Sequence, residues 1–252
     1  MFGFIQKRDV IITLTKYEFK LRYRGTMLGV LWSLIAPFLL ALVLYFVFRN
    51  IFAFIENFAI YVLVGIFVFR FFSVATSVGM HSIVGKAHLV TKTNISREFL
   101  PLATTMSYAI SSFIELLILL PIIFIFGAKL GPLLILLPII HLFYTIFIYG
   151  LNLLLSAVMV NFRDLNQVWE VATNILFFTA PIVYPIAVIP EDLRSLLLLN
   201  PLTAIIELYR GIMLYNTLEI DLFFYSILSS AVIFLAGYWV FEKLQRRFGE
   251  VL

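Results

Sequence analysis

The sequence predicts an all-α integral membrane protein with six transmembrane helices. Of its 252 residues, 63% are apolar and only 13% are charged, and the mean hydropathy is +1.06. Soluble domains are about 45–50% apolar, and one of this length could not bury so much apolar surface. The apolar residues fall into long runs, and most cations lie in the two terminal segments and in alternate connections between the runs. Together these observations indicate that lipid surrounds most of the chain.

The chain begins with a basic and aromatic segment, residues 1–29, that precedes the first apolar run. Apolar residues recur in it at helical spacing, namely at Val10, Leu14, Tyr17 and Leu21. Three cations, Lys20, Arg22 and Arg24, close the segment and are expected to face anionic lipid headgroups. The pattern predicts an amphipathic helix lying in the cytoplasmic membrane interface. A solvated basic tail is the alternative.

Six apolar runs of the predicted transmembrane domain, residues 30–252, are long enough to cross a bilayer. A hydrocarbon core of ~30 Å needs about 20 helical residues at a rise of ~1.5 Å each. The predicted spans are residues 30–48, 58–80, 102–128, 132–160, 169–188 and 222–241.

The distribution of Lys and Arg predicts the orientation of these spans. Six crossings place both termini on one side, and thirteen Lys and Arg residues lie on that side. The opposite side carries four, namely Arg49, Lys129, Arg194 and Arg210, and Arg70 lies within a span. Cytoplasmic loops are enriched in Lys and Arg, so both termini are predicted to be cytoplasmic.

The longest cytoplasmic connection between spans is residues 81–101. It mixes polar residues with apolar ones such as Ile83, Val84 and Leu89, which are available to dock on a partner. A loop lying on the membrane surface without a partner has the same composition, so the spacing alone leaves both interpretations open.

Prolines predict a broken backbone on the outer side, residues 189–221. Pro181 and Pro185 are expected to break or kink the fifth span near the outer face. Asn200 followed by Pro201 is an N-cap with a first-turn proline, so a helix is predicted to start there. Two short helices, re-entrant or interfacial, are therefore predicted between spans five and six, at a pore mouth. A loop resting on the bilayer is the alternative.

Two charges are predicted to lie near the bilayer midplane. Arg70 and Glu115 lie in the middle of consecutive, antiparallel spans and differ in depth by about three residues, or ~4.5 Å. A lone charge at that depth is costly, so we expect a direct or water-bridged Arg70–Glu115 pair. A contact with anionic cargo is the alternative role for Arg70.

The sequence lacks the motifs of most enzymes. It has no GxxxxGK[ST] loop for ATP phosphates, no GxSxG nucleophile motif and no cysteine, and its three histidines do not follow a metal-ligand spacing. No metal site is predicted. Glu115 and His141 are the only buried acid–base candidates for a membrane enzyme.

Several short motifs are spread along the sequence. The opening has LRYRG (residues 21–25), residues 28–32 and Pro37. The later motifs are residues 89–92 and 97–101, Arg163 and Asp164, the PxxYP element at Pro181 to Pro185, Asn200 with Pro201, and Arg210. Together they resemble the membrane subunits of the ABC exporters that move O-antigen, capsule and teichoic acid polysaccharides, and the resemblance covers nearly the whole chain.

The resemblance implies a homodimeric, channel-forming permease of the plasma (inner) membrane, without enzymatic activity of its own. Two nucleotide-binding ATPase subunits would bind ATP and Mg, and this chain would carry no cofactor and bind no nucleic acid. The cargo would be a lipid-linked polysaccharide, as in O-antigen export and lipopolysaccharide biosynthesis. A short coupling helix in the 81–101 connection would meet the ATPase, through Lys86, Leu89, Val90, Ile95 and Arg97.

Aromatic residues of spans one and five are predicted to line the polymer's path. Aromatic rings stack on the apolar faces of sugars, and stacking tolerates sliding. The candidates are Trp32, Tyr45, Phe177 and Tyr184. The alternative functions are an ABC exporter of teichoic acid, a lipid or a drug, and a membrane enzyme that acts on lipid-linked sugars.

Overall fold

The computed structural model describes residues 2–24, 31–55, 57–93 and 95–251. These residues form helices joined by short connections and contain no β-strand. The helices are α1 (Phe2–Tyr23), α2 (Leu31–Phe48), α3 (Phe58–Gly79), α4 (Ala87–Lys92), α5 (Phe99–Ile125), α6 (Leu137–Asn161), α7 (Leu165–Thr179), α8 (Glu191–Leu198), α9 (Pro201–Arg210), α10 (Ile220–Leu244) and α11 (Phe248–Val251).

Five helices of the described chain are long and apolar enough to cross a membrane. They are α2, α3, α5, α10 and α6, the last together with the 3₁₀ turn Pro132–Leu136 that precedes it. They coincide with five of the six predicted runs. By helix length and composition, α8 and α9 would count as a sixth span only if they were taken together as one bent span, with 95° between its two parts.

The predicted fifth span, residues 169–188, is not one helix. Helix α7 has 15 residues, ~22 Å at helical rise, and ends at Thr179 because Pro181 cannot continue it. The chain nevertheless continues along α3, as helix up to Thr179 and then as irregular turns. Trp169 contacts Thr76, Phe177 contacts Phe69, and the carbonyl of Tyr184 accepts a hydrogen bond from Tyr61. Residues 169–184 therefore follow α3 from near its Gly79 end to near its Phe58 end.

Helix α3 is the core of the bundle, and it is buried along most of its length. Its neighbours are α2, α5, α6, α7 and α9. Polar side chains of α6 add hydrogen bonds to two carbonyls of α3: the Tyr144 hydroxyl donates to Val68 at 3.0 Å, and the Asn152 amide donates to Ala75 at 3.2 Å. Such contacts join helices in a membrane, where association depends on packing and hydrogen bonds.

The predicted helix start at Asn200 and Pro201 is confirmed. The Asn200 side chain accepts a hydrogen bond from the Leu202 amide at 3.1 Å, and Pro201 is the first residue of α9. Helix α9 lies at the Phe58 end of α3, where Arg210 contacts Tyr61, and a π-helical turn, Gly211–Tyr215, continues it.

Helix α1 packs differently from the prediction. Of the predicted apolar stripe, Tyr17 and Leu21 are exposed. Glu18 and Arg22 lie instead on the side that packs along α5 and are largely buried. The helix is therefore held against the bundle by charged groups as well as by apolar ones. Its last turns do not lie free of the bundle in a membrane interface.

Helices α6 and α10 cross at two glycines. A Cβ atom added at Gly237 would lie 2.0 Å from the carbonyl oxygen of Gly150, and one added at Gly150 would lie 2.5 Å from the backbone of Phe234. Small residues allow such close backbone approach in membrane helices.

We expect Gly237→Ala to lower the thermal stability of the purified protein, because the α6 and α10 backbones would have to separate. Overpacking of this kind costs about 1–3 kcal/mol. The measurement is the melting temperature in detergent. Gly85→Ala is the matched control, since a Cβ at Gly85 would meet no atom within 4 Å. Equal melting temperatures for both variants would contradict the tight crossing.

Candidate functional site

A groove lies between α2, α3 and α7. Its volume is about 250 Å³, and Pro37, Phe69, Arg70, Ser73 and Phe177 are among the residues that line it. We call it the α2–α3–α7 groove. It brings together three residues that the sequence singled out separately, namely Pro37, Arg70 and Phe177.

The proline in α2 explains one contact of Arg70. Proline has no amide hydrogen, so Pro37 leaves the carbonyl of Ser33, four residues earlier, without its helical donor. Nη1 of Arg70 donates to that carbonyl. In apolar surroundings an unsatisfied carbonyl costs several kcal/mol, so this hydrogen bond stabilises the broken turn.

Arg70 also belongs to a buried charge cluster. Its Nη1 lies 3.6 Å from Oε2 of Glu115, and Nη2 of Arg22 lies 3.8 Å from Oε1 of the same carboxylate. The structure therefore brings Arg70 and Glu115 together, as the sequence predicted, and adds Arg22. The expected position of Arg22 among headgroups is wrong. Its side chain is only 16% exposed and stacks 4.2 Å above the Tyr108 ring.

A second buried arginine, Arg210, joins α9 to α3 and to the segment that follows α7. Its side chain is fully buried. It donates to the Ile182 carbonyl and the Tyr61 hydroxyl, each at 2.7 Å, and to the Pro181 carbonyl. Glu207, one turn earlier in α9, accepts from it at 2.7 Å and balances its charge.

Gly65 leaves the space that Arg210 occupies. A Cβ atom at Gly65 would lie 2.6 Å from Nη2 of Arg210 and 3.1 Å from the Ile182 carbonyl oxygen. The guanidinium also lies 3.5 Å above the Tyr61 ring, a cation–π contact. Sequence reasoning placed Arg210 on the outer side as a motif residue and did not predict its burial, because spacing alone does not reveal which arginine a glycine on another helix accommodates.

The four predicted path residues do not line one groove. Phe177 lies in the α2–α3–α7 groove. Tyr45 lies on a different face of α2, where it packs against Phe58 of α3. Trp32 is 52% exposed near the start of α2. The Tyr184 hydroxyl donates to the carbonyl of Phe178 at 3.0 Å, at the end of α7.

Helix α7 exposes a polar stripe that the sequence analysis did not identify. Gln167, Glu170 and Asn174 are all exposed and recur at intervals of three and four residues. These spacings place them on one face of the helix. The sequence analysis missed the stripe because the surrounding residues are apolar enough to predict an ordinary transmembrane span.

His141 offers no free acid–base group. Its Nδ1 lies 2.8 Å from the Tyr209 hydroxyl, and its Nε2 lies 2.9 Å from the Ala109 carbonyl oxygen. Both ring nitrogens therefore have partners within the bundle. Among the residues whose positions are described, no group of His, Asp and Glu could hold a metal ion.

The sequence matches one family model across most of its length. Residues 9–214 match the model of the ABC-2 type transporter membrane domain. The chain belongs to the ABC-2 type transporter family. It is therefore a multi-pass membrane protein of the permease class.

Curated relatives cover nearly the whole chain. An "O-antigen export system permease protein RfbA" from Klebsiella pneumoniae is 27% identical over 248 residues, which are 97% of this chain and 95% of the relative. A protein of the same name from Myxococcus xanthus is 29% identical over 253 residues, which are 97% of this chain and 96% of the relative.

In this ABC-2 chain, three of the five residues predicted to couple to an ATPase have partners inside the bundle. Nζ of Lys86 pairs with Glu18 of α1. Val90 is buried in a cluster with Phe241 and Phe248. Arg97 donates to the carbonyl of Gln245 and lies 5.9 Å from the Phe248 ring. Leu89 and Ile95 are partly buried.

The exposed part of the same connection is polar. His88, Thr91 and Lys92 of α4 are exposed, on the side of the helix away from Val90. Nearby, burial raises the pKa of Glu98, repulsion from Glu242 raises it further, and Lys7 opposes both effects. His88, Thr91 and Lys92 give the exposed face of α4 an imidazole, a hydroxyl and a cation.

The remaining motif residues lie at element ends. Arg24, Arg163 and Asp164 are exposed. Asp164 stands at the N-cap position of α7, but its side chain makes no capping hydrogen bond. Gly25 and residues 28–30 of the opening motifs lie outside the described residues, as does Asn94 of the 81–101 connection. Pro185 precedes a short 3₁₀ turn, Ile186–Val188.

The charge cluster predicts an order among variants. Glu115→Gln leaves two neighbouring guanidinium groups without their shared carboxylate, so we expect the largest loss of stability, about 3–5 kcal/mol. Arg70→Met removes the donor to the Ser33 carbonyl, but Arg22 still neutralises Glu115, so no buried charge is left unpaired and we expect a smaller loss. The double variant should regain part of the loss of Glu115→Gln. Expression and monodispersity by size-exclusion chromatography measure this order. A double variant no better than Glu115→Gln would refute the shared carboxylate.

Proposed function

We propose that this chain is the channel-forming membrane subunit of an ATP-driven exporter of a lipid-linked polysaccharide, O-antigen or a similar polymer. The observation that carries the proposal is the match over 97% of the chain to permeases named for O-antigen export. The membership in the ABC-2 family supports it independently.

A separate ATPase would supply the energy. The sequence has no loop of its own for nucleotide phosphates, so ATP and Mg would bind to the partner subunits and no cofactor to this chain. For six crossings, the Lys and Arg count supports cytoplasmic termini in the plasma (inner) membrane. In this orientation the Gly79 end of α3 faces the cytoplasm.

Two copies of the chain would enclose the path between them. The polar stripe of α7 supports this arrangement, because Gln167, Glu170 and Asn174 are exposed on one chain yet costly against lipid. A water-filled path between two α7 helices would hydrate them. Phe177 and the exposed Trp32 would add stacking surfaces for sugars at this path.

The partner ATPase would dock on the exposed face of α4. His88, Thr91 and Lys92 are accessible there, whereas Lys86, Val90 and Arg97 would support the surface from below. This arrangement refines the set expected from the sequence.

An exporter of teichoic acid, a lipid or a drug would share these features. A membrane enzyme receives less support, because both nitrogens of His141 are engaged by the bundle.

We expect ATP hydrolysis by the complex of this chain with its ATPase, reconstituted in vesicles, to rise on addition of a lipid-linked polysaccharide. The unglycosylated lipid carrier and a panel of drugs serve as controls. Stimulation by drugs alone would contradict polysaccharide export. Release of a sugar product by the chain without the ATPase would instead indicate an enzyme.

The docking surface is tested with single cysteines. We expect His88→Cys and Lys92→Cys to crosslink to the co-purified ATPase, because these side chains are exposed. Val90→Cys is the matched control within the same short helix, since its side chain faces Phe248. Crosslinking from Val90→Cys but not from the exposed positions would reverse the assignment.

A further inference from the structure

A second and larger groove lies between α2, α3 and the last turn of α5. Its volume is about 630 Å³, within the range of about 300–1,000 Å³ that is usual for small-molecule sites. We call it the α2–α3–α5 groove. It lies on a different face of α2 from the α2–α3–α7 groove, because Phe38, Ala41 and Tyr45 line the one and Ala36, Pro37 and Leu40 the other.

The polarity of this groove changes along its length. Its inner part is lined by aliphatic and aromatic side chains, including Phe38, Leu63 and Ile122. Its polar side chains lie at the end near the start of α3, where Arg49, Asn50 and Asn57 line it. A ligand that fits both parts has an apolar chain and one polar end.

The length of the groove matches one leaflet of a bilayer. From Phe38 to the end of α2 at Phe48 is ten residues, or ~15 Å at helical rise. This is half of a ~30 Å hydrocarbon core. The polar end of the groove is therefore at headgroup level when its inner end is near the midplane.

The charge at the polar end of the groove indicates which headgroup the ligand carries. Arg49 directly follows α2 and is exposed, and its guanidinium lies 5.5 Å from the ring of Phe46 in the last turn of α2. A guanidinium binds phosphate oxygens in a bidentate manner, and the amides of Asn50 and Asn57 can donate further hydrogen bonds. The combination favours an anionic phosphate group.

We propose that the α2–α3–α5 groove binds a bilayer phospholipid with an anionic headgroup, with one acyl chain between α2, α3 and α5 and the phosphate at Arg49. The lipid would belong to the outer leaflet, because the orientation proposed above places the start of α3 on the outer side. The site itself is separate from the polymer path, so it stands if the cargo differs.

The test uses the full-length protein in phosphatidylcholine vesicles that contain a trace of phosphatidylglycerol with a photoreactive acyl chain. After illumination, mass spectrometry of peptides should locate the label on groove residues such as Ala41, Leu63 and Ile122. Arg49→Gln should lower this labelling about fivefold, the effect of one cation on an anionic lipid. Lys129→Gln is the matched control, since it removes a cation on the same side but outside the groove.

A second variant tests the chain-binding part. Leu42 lines the groove and is 51% exposed, so Leu42→Trp can narrow the groove without disturbing the buried core. We expect it to lower labelling while Arg49 remains intact.

Four outcomes would overturn the proposal. They are equal labelling by a photoreactive phosphatidylcholine, unchanged labelling in Arg49→Gln, displacement of the probe by polyprenyl phosphate at concentrations where phosphatidylglycerol fails, and disulfide formation between two copies of Leu42→Cys across the groove. The third would assign the groove to the lipid carrier, and the fourth to a second copy of the chain.

Discussion

The buried guanidinium of Arg210 is the contact on which the Phe58 end of the bundle depends. Helix α7 stops at Thr179, so the carbonyls of Pro181 and Ile182 leave regular helix in apolar surroundings, where each would cost several kcal/mol if unsatisfied. Arg210 donates to both and to Tyr61. The break in the backbone and the position of α9 therefore require each other, and Gly65 is the residue on α3 that gives them room.

The same arrangement recurs at the proline within α2. Pro37 frees the Ser33 carbonyl, and Arg70 donates to it from α3. The carboxylate of Glu115 then balances Arg70 much as Glu207 balances Arg210. Both arginines, Arg70 and Arg210, thus donate to backbone carbonyls near a proline. Their positions follow from the prolines, and this role requires no contact with cargo.

Local signals in the sequence predicted the elements, but they did not predict how the elements face one another. Long apolar runs and the Asn200 cap depend on neighbouring residues, so five spans and the start of α9 followed from the sequence. The predicted fifth span was too long because its apolar composition continues past Pro181. Arg22 was misplaced because helical spacing does not fix the tilt of α1. Val90 packs against its own chain. The sequence did not predict this, because a six-residue helix can bury its apolar side either against its own bundle or against another subunit.

Charged contacts connect the 81–101 connection to the broken turn of α2. Lys86 pairs with Glu18 of α1, and one turn later Arg22 of α1 reaches Glu115. Glu115 contacts Arg70, which holds the Ser33 carbonyl. Coupling between distant sites needs such a contiguous physical route, although a route alone does not measure coupling. Apart from the one turn of α1 between Glu18 and Arg22, each step is an ion pair or hydrogen bond between different elements, so the contacts are continuous from the turn before α4 to the first turn of α2.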